Sequence, residues 1–185
     1  MSRQRVVAKR IRNSYEGAGT GRRAKGWDAP DVAMNSVSLP ALPLLRRRSR
    51  AAVRNDPYAL SAINKRVTNI IGTGITPRPQ IKDEAIRTIL QDWADEADAD
   101  GRTDFYGQQA LISRMVEESG ECFVRYRYRR DTDGLVVPFQ LQILPAEFVP
   151  IDRNFKTRRG NIVRAGIEFD AVGRRSAYWM YQQNP

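Results

Sequence analysis

The chain has 185 residues, 41% hydrophobic and 28% charged, with a net charge of +10, one cysteine and no histidine. The apolar share suffices for a core, the lone Cys122 excludes an internal disulfide and fits a reducing compartment, and the missing histidine removes the commonest general base and metal ligand. No apolar run approaches the ~20 residues that span a bilayer, and the basic start, Met1 to Arg12, lacks the apolar segment and cleavage site of a signal peptide.

The charge is unevenly placed. Residues 1–54 carry 13 Lys/Arg against 3 Asp/Glu, whereas residues 55–185 carry 18 of each. A cationic arm on a neutral body suits a polyanion, an acidic protein surface or simple solubility. Residues 1–40 read as an extended basic arm, with Gly17, Gly19, Gly21 and Gly26 among arginines and a short helix near its start. Residues 41–185 read as the folded portion.

A basic helix is expected from about Pro43 to Arg54. Asp56 then offers an N-cap carboxylate and Pro57 a first helical position that needs no N–H. Leu60, Ile63, Val67, Ile70 and Ile71 recur at helical spacing, and Gly72 provides a left-handed stop. A third helix is expected from Asp83 to about Asp98, with Ile86, Ile89, Leu90, Trp93 and Ala97 on one face. A fourth runs from an Asp104 cap through Phe105, Leu111, Ile112, Met115 and Val116 to Gly120.

After Gly120 the period changes to two. Cys122, Val124, Tyr126 and Tyr128 alternate with Phe123, Arg125, Arg127 and Arg129. A turn at Asp133-Gly134 leads to a strand with Val137, Phe139, Leu141 and Ile143, completing a hairpin. A second hairpin is expected from Val163, Ala165, Ile167 and Phe169, a turn at Asp170 to Gly173, and Ala177, Trp179 and Tyr181. The class is α+β, about four helices followed by antiparallel hairpins. Asn184-Pro185 follows directly on a strand with aromatics on both faces, so the chain is expected to be the N-terminal part of something longer.

Several motifs have bland alternatives. Gly17-Ala-Gly-Thr-Gly21 follows no apolar strand and precedes no Gly-Lys-Ser/Thr, so a flexible arm is expected rather than a phosphate loop. Glu96, Asp98, Asp100 and Gly101 fit half a calcium loop, but Gly107 stands where the bidentate Glu belongs, and a helix end with a turn explains them. Asp92 and Glu96 share a helix face without a substrate-binding partner, so a solvated face is expected and not a catalytic pair. Neither cofactor nor metal is expected. The arginines Arg125, Arg127 and Arg129 form a cationic stripe opposite their neighbouring tyrosines, so rings and charges cannot grip one nucleic-acid strand together. A solvated or subunit-contact face fits better. Arg46, Arg47, Arg48, Arg50 and Arg54 are too dense to balance within one helix, and Arg47, Arg50 and Arg54 share a face. They can take phosphates or a neighbouring subunit's carboxylates, for which the stretch from Asp92 to Asp104 supplies candidates.

In chain order, Tyr15 to Ala18, Arg22-Arg23, Trp27, Leu45-Arg-Arg-Arg-Ser-Arg50, Arg54-Asn55, Pro57-Tyr-Ala59 and Asn69-Ile-Ile-Gly-Thr-Gly74 are followed by Trp93, Asp100-Gly101 before Phe105, and Glu118-Ser-Gly-Glu121. Leu141-Gln-Ile-Leu144, Gly166-Ile-Glu-Phe-Asp170, Gly173-Arg174 and Ala177-Tyr-Trp179 complete a pattern that resembles the lambda-type portal proteins of tailed bacteriophages. Pro43 and Asp56 depart from it. Portals of this type are longer, so the resemblance covers an arm and much of a wing-like region. It implies a homo-oligomeric ring, usually a dodecamer, at one capsid vertex of a phage or prophage virion, assembled in the host bacterial cytoplasm. Such a ring works with major capsid and scaffold proteins and docks the terminase large subunit, whose ATPase drives packaging. It passes double-stranded DNA during packaging and ejection, carries the head–tail connector, and has no catalytic site or membrane span.

In such a ring the arm is expected to be peripheral, because a channel in which DNA slides cannot hold phosphates tightly. Two other functions fit the residues. One is a sequence-independent nucleic-acid-binding module with a basic arm, and the other an enzyme using the acidic cluster with a divalent metal.

Overall fold

A computed structural model describes Arg22, Lys25, Gly26 and residues 31–80 and 83–182. The rest of the glycine-rich arm, including Tyr15 to Ala18 and Trp27, lies outside the described residues, as do Asn184 and Pro185. The chain divides into two units, Met1–Val37 and Ser38–Pro185. The described elements are, in order, α1 (Met34–Asn55), α2 (Pro57–Ile71), α3 (Glu84–Glu96), α4 (Phe105–Ser119), β1 (Cys122–Tyr128), β2 (Phe139–Pro145), β3 (Phe155–Lys156), β4 (Ile162–Arg164), β5 (Ile167–Phe169) and β6 (Arg175–Tyr178). The fold is α+β, with helices first and antiparallel strands after.

Helix α1 starts nine residues before the expected Pro43 and runs through both Pro40 and Pro43. An interior proline cannot donate to the carbonyl four residues back, and costs about 3 kcal/mol in an isolated helix. Leu39, Ala41 and Leu42 are partly covered here, whereas Met34, Val37, Pro40 and Pro43 are exposed.

The caps of the other helices follow the sequence. Asp56 accepts from the Tyr58 N–H at 2.8 Å, Asp83 from Ala85 at 2.9 Å, and Asp104 from Gly107 at 2.7 Å. Gly72 ends α2 with a positive φ of 61°, but its ψ of −123° lies outside the left-handed helical region expected of it. Helix α3 stops at Glu96, short of the expected Asp98, because residues 97–99 leave the helix to pair with β2. The Leu141 N–H donates to the Ala97 carbonyl at 2.7 Å, and the Ala99 N–H to the Leu141 carbonyl at 2.9 Å.

Helix α2 packs on α4, but none of its residues is fully buried. Its stripe is covered on one side only, and Ile70 remains 54% exposed. The core instead sits where α3, α4 and β2 meet. Ala94, Ala97, Ile143, Leu144 and Ala146 are buried there. Trp93 stacks between Phe105 and Phe139, at centroid distances of 5.2 and 6.1 Å, and donates its indole N–H to the Phe139 carbonyl at 2.7 Å. A large ring with a satisfied polar edge is the most effective way to fill such a junction.

Strands β1 and β2 form a two-stranded antiparallel ribbon, with Arg125 opposite Gln142 and Tyr128 opposite Phe139. Their connection is a loop with a short helical turn at Asp131–Asp133 before Gly134, rather than a tight hairpin. The remaining strands form a separate sheet ordered β3-β4-β5-β6. The single strand expected from Val163 to Phe169 is broken in two. Ala165 (φ 49°) and Gly166 (φ 75°) form a two-residue turn between Arg164 and Ile167, and positive φ at both central positions marks the hairpin turn that matches strand twist. A Cβ on Gly166 would lie 2.6 Å from Val149 Cγ1 and 2.8 Å from the Pro150 carbonyl. In the sequence the turn is hidden because Ala165 stands in phase with the apolar alternation.

Candidate functional site

The arginines of α1 fall into two sets. Arg46, Arg50 and Val53, at spacings of four and three, face the body. The Arg46 guanidinium is buried, donates through Nε to the Ser119 carbonyl at 3.2 Å, and forms an ion pair with Glu121. Ser119 is the last residue of α4, so its carbonyl belongs to the orphan acceptors at the negative end of that helix, where a cation is favoured twice over. Arg50 donates from Nε to Ser119 Oγ at 2.9 Å and grips both Glu147 oxygens, at 2.8 and 3.1 Å. Burial pushes the Glu147 carboxyl up, but the hydrogen bond from Arg50 and the nearby charges of Arg50 and Arg46 outweigh it and hold the group below the usual range. Arg47, Arg48 and Arg54 are exposed. Helical geometry thus divides the five arginines into two that fasten α1 to the body and three that point away from it.

The arginines of β1, and Arg129 just after it, also turn inward. Arg125 donates to Gln142 Oε1, at 3.1 Å from Nε, and Arg129 donates to Gln140 Oε1 at 2.8 Å. Gln142 passes on a hydrogen bond to Asp100 at 2.8 Å, and Gln140 to the Glu96 carbonyl at 2.7 Å. Arg127, opposite Gln140 in register, is half-buried. The solvated face of the ribbon is the other one, where Tyr126 and Tyr128 are 63% and 80% exposed.

Within the acidic stretch, Asp98 is buried and its carboxylate is saturated. Oδ1 accepts from the Asp100 N–H at 3.1 Å and from Gln108 Nε2 at 3.0 Å, while Oδ2 accepts from the N–H groups of Arg102 at 2.9 Å and Thr103 at 3.1 Å. Burial alone would raise its pKa, but the backbone donors of Arg102, Asp100 and Thr103, together with Gln108, bring the carboxyl below its ordinary value. Asp98 is therefore a staple that joins the end of α3 to α4 and β2. Asp104 caps α4, Asp100 receives Gln142, and Glu96 accepts from the Val136 N–H at 3.0 Å. Of the stretch offered as partners for a neighbouring subunit, Asp92 and Asp95 stay on the exposed face of α3. Among the described residues, no cluster of three or more His, Cys, Asp or Glu is arranged to hold a metal ion.

A second cationic region escaped the sequence reading. The neutral balance of residues 55–185 hides a separation: residues 55–149 carry 11 Lys/Arg and 15 Asp/Glu, residues 150–185 carry 7 and 3. The seven are Arg153, Lys156, Arg158, Arg159, Arg164, Arg174 and Arg175, all exposed. Among the described residues none of these side chains forms an ion pair within the chain. Counting charge in shorter windows would have found them.

The family described as "Phage portal protein, lambda family" matches residues 20–185. The chain is 26% identical over 190 aligned residues to the "Probable portal protein" of Halomonas phage phiHAP-1, an alignment that covers 95% of this chain. It spans 34% of that relative's length.

Proposed function

This chain belongs to the lambda family of phage portal proteins, and from that premise we propose that it builds part of the ring at one capsid vertex through which double-stranded DNA is packaged and ejected. One observation carries the reading: the family pattern runs through residues 20–185, from the arm to the final strands. The family is structural, and its place is the virion capsid vertex. Among the described residues no helix is long and apolar enough to cross a membrane.

The finer parts of the proposal are a ring of usually twelve subunits, a docking surface for the terminase large subunit, and contacts with scaffold, major capsid and head–tail connector proteins. A head-to-tail contact between different faces of identical subunits closes into a ring when its rotation permits. Helix α1 suits such a contact. Arg46 and Arg50 fix it to its own body, while Arg47, Arg48 and Arg54 remain exposed, and Asp92 and Asp95 on α3 have the opposite charge. In this reading α1 lies at the periphery of the ring and not in the channel.

Electron microscopy of the polypeptide encoded by the whole reading frame tests the proposal. Closed rings with a central hole, without intrinsic ATPase turnover, are the expected result. Particles of single-subunit mass contradict it. A terminase large subunit encoded upstream and a head-maturation protease encoded downstream are the expected neighbours.

A further inference from the structure

Pairing in the second sheet is antiparallel throughout, in the order β3-β4-β5-β6. The β3–β4 and β5–β6 turns therefore leave from the same end, and the Ala165-Gly166 turn from the other. The shared end carries Lys156, Arg158, Arg159, Arg174 and Arg175, all exposed. Arg158 and Arg159 are the central residues of a tight turn, closed by the Gly160 N–H on the Thr157 carbonyl at 3.0 Å. Both are exposed, and they line one hollow with Phe155, Lys156 and Trp179. Of the two nearby carboxylates, Asp170 accepts through Oδ1 from the N–H groups of Val172 at 3.0 Å and Arg174 at 2.8 Å. Glu168, which lines the same hollow, accepts from Asn161 Nδ2 at 2.7 Å and Trp179 Nε1 at 3.0 Å. Neighbouring strands are about 4.8 Å apart, which puts the two turns roughly 10 Å from one another.

We infer that this end of the sheet contacts the sugar-phosphate backbone of double-stranded DNA without reading its sequence. The cations have no carboxylate partner among the described residues, and a duplex offers one negative charge for about every 1.7 Å of its axis. Protein–protein contacts centre on buried apolar groups and are depleted of charge there, whereas protein–DNA contacts are polar and cationic. Val172 and Ile162 are exposed beside the cations, but five cations against the two carboxylates Glu168 and Asp170 favour the second kind. Contacts of this type are salt-sensitive and do not fix the register of the duplex. The inference rests on the portal reading only for the duplex as the natural partner.

The test is fluorescence anisotropy of a labelled mixed-sequence duplex of about 30 base pairs with the full chain, over about 50–200 mM salt. The variant Arg158→Gln/Arg159→Gln/Arg174→Gln is expected to lower affinity roughly tenfold or more at about 100 mM salt. Its slope of log affinity on log salt falls in magnitude by about 2.7, or ~0.9 for each lost phosphate contact. Lysine at the same three positions is expected to preserve both quantities. The inference is overturned if the wild-type chain fails to bind, if the glutamine variant binds unchanged, or if the lysine variant loses as much as the glutamine one. It is equally overturned if Arg47→Gln/Arg48→Gln/Arg54→Gln alone abolishes binding. Light scattering on the whole polypeptide separates the two readings. Rings that form while the turn variant binds DNA unchanged overturn this inference and leave the portal reading standing. Wild-type protein that forms no rings counts against the portal reading alone.

Discussion

The helical region with its two-stranded ribbon uses arginine differently from the four-stranded sheet. Arg46, Arg50, Arg66, Arg87, Arg114, Arg125 and Arg129 each hold a carboxylate or amide oxygen of the same chain. In the sheet, Lys156, Arg158, Arg159, Arg174 and Arg175 hold none among the described residues, and the local net charge is positive. A cation satisfied inside its own chain belongs to the fold, and removing it leaves polar groups stranded. A cation left in water contributes little to folding and is available to a partner. Whether a cation is held within the chain, rather than its residue type, should therefore decide what a substitution does.

The largest effect is expected in the first region. Asp98→Ala strands the N–H groups of Asp100, Arg102 and Thr103 and the Gln108 amide, a loss of about 3–4 kcal/mol by urea unfolding. In the sheet, the vulnerable feature is backbone and not charge. Gly166→Ala combines a positive φ with a Cβ pressed against Val149 and Pro150, and costs about 3 kcal/mol. Arg46→Ala costs about 2–3 kcal/mol, below the 3–5 of a fully buried pair because Glu121 is half-exposed. A thermal denaturation series on these three variants ranks them.

Acid has a smaller, signed effect. Asp98 and Glu147 titrate lower in the folded chain than in the unfolded one. Their contribution is complete above the unfolded carboxylate values of about 4 and disappears as pH falls through the lower folded values. The stability difference between wild type and Asp98→Asn is expected to shrink steadily as thermal midpoints are measured from neutral pH down towards pH ~3. A difference that grows on acidification sharpens nothing and counts against the Asp98 staple.

Local signals carried most of the fold. Asp56 and Asp104 as caps, Gly120 as the end of α4, and the alternation after Cys122 each act within a few residues, so they were legible. What was not legible depends on distant partners. Helix α1 runs through Pro40 and Pro43 against their local preference, and the exit at Ala97 is set by pairing with Leu141. The turn at Ala165-Gly166 is tied to distant backbone, the Gly166 N–H donating to the Arg153 carbonyl and its carbonyl accepting from Trp179. The arginine face of β1 looked solvated because Gln140 and Gln142, its acceptors, are neutral and 11–17 residues away. The candidate site divided in the same way. Arg46 and Arg50 could not be separated from Arg47, Arg48 and Arg54 until the helix had a body to face.

The measurement that addresses this division most directly is a pair of urea unfolding curves, for Arg46→Gln/Arg50→Gln and for Arg158→Gln/Arg159→Gln. The first pair is expected to move the midpoint clearly downward, and the second to leave it within about 0.5 kcal/mol of wild type. Equal losses in both variants, or a larger loss in the sheet, would contradict the assignment of one set to the fold and the other to a partner.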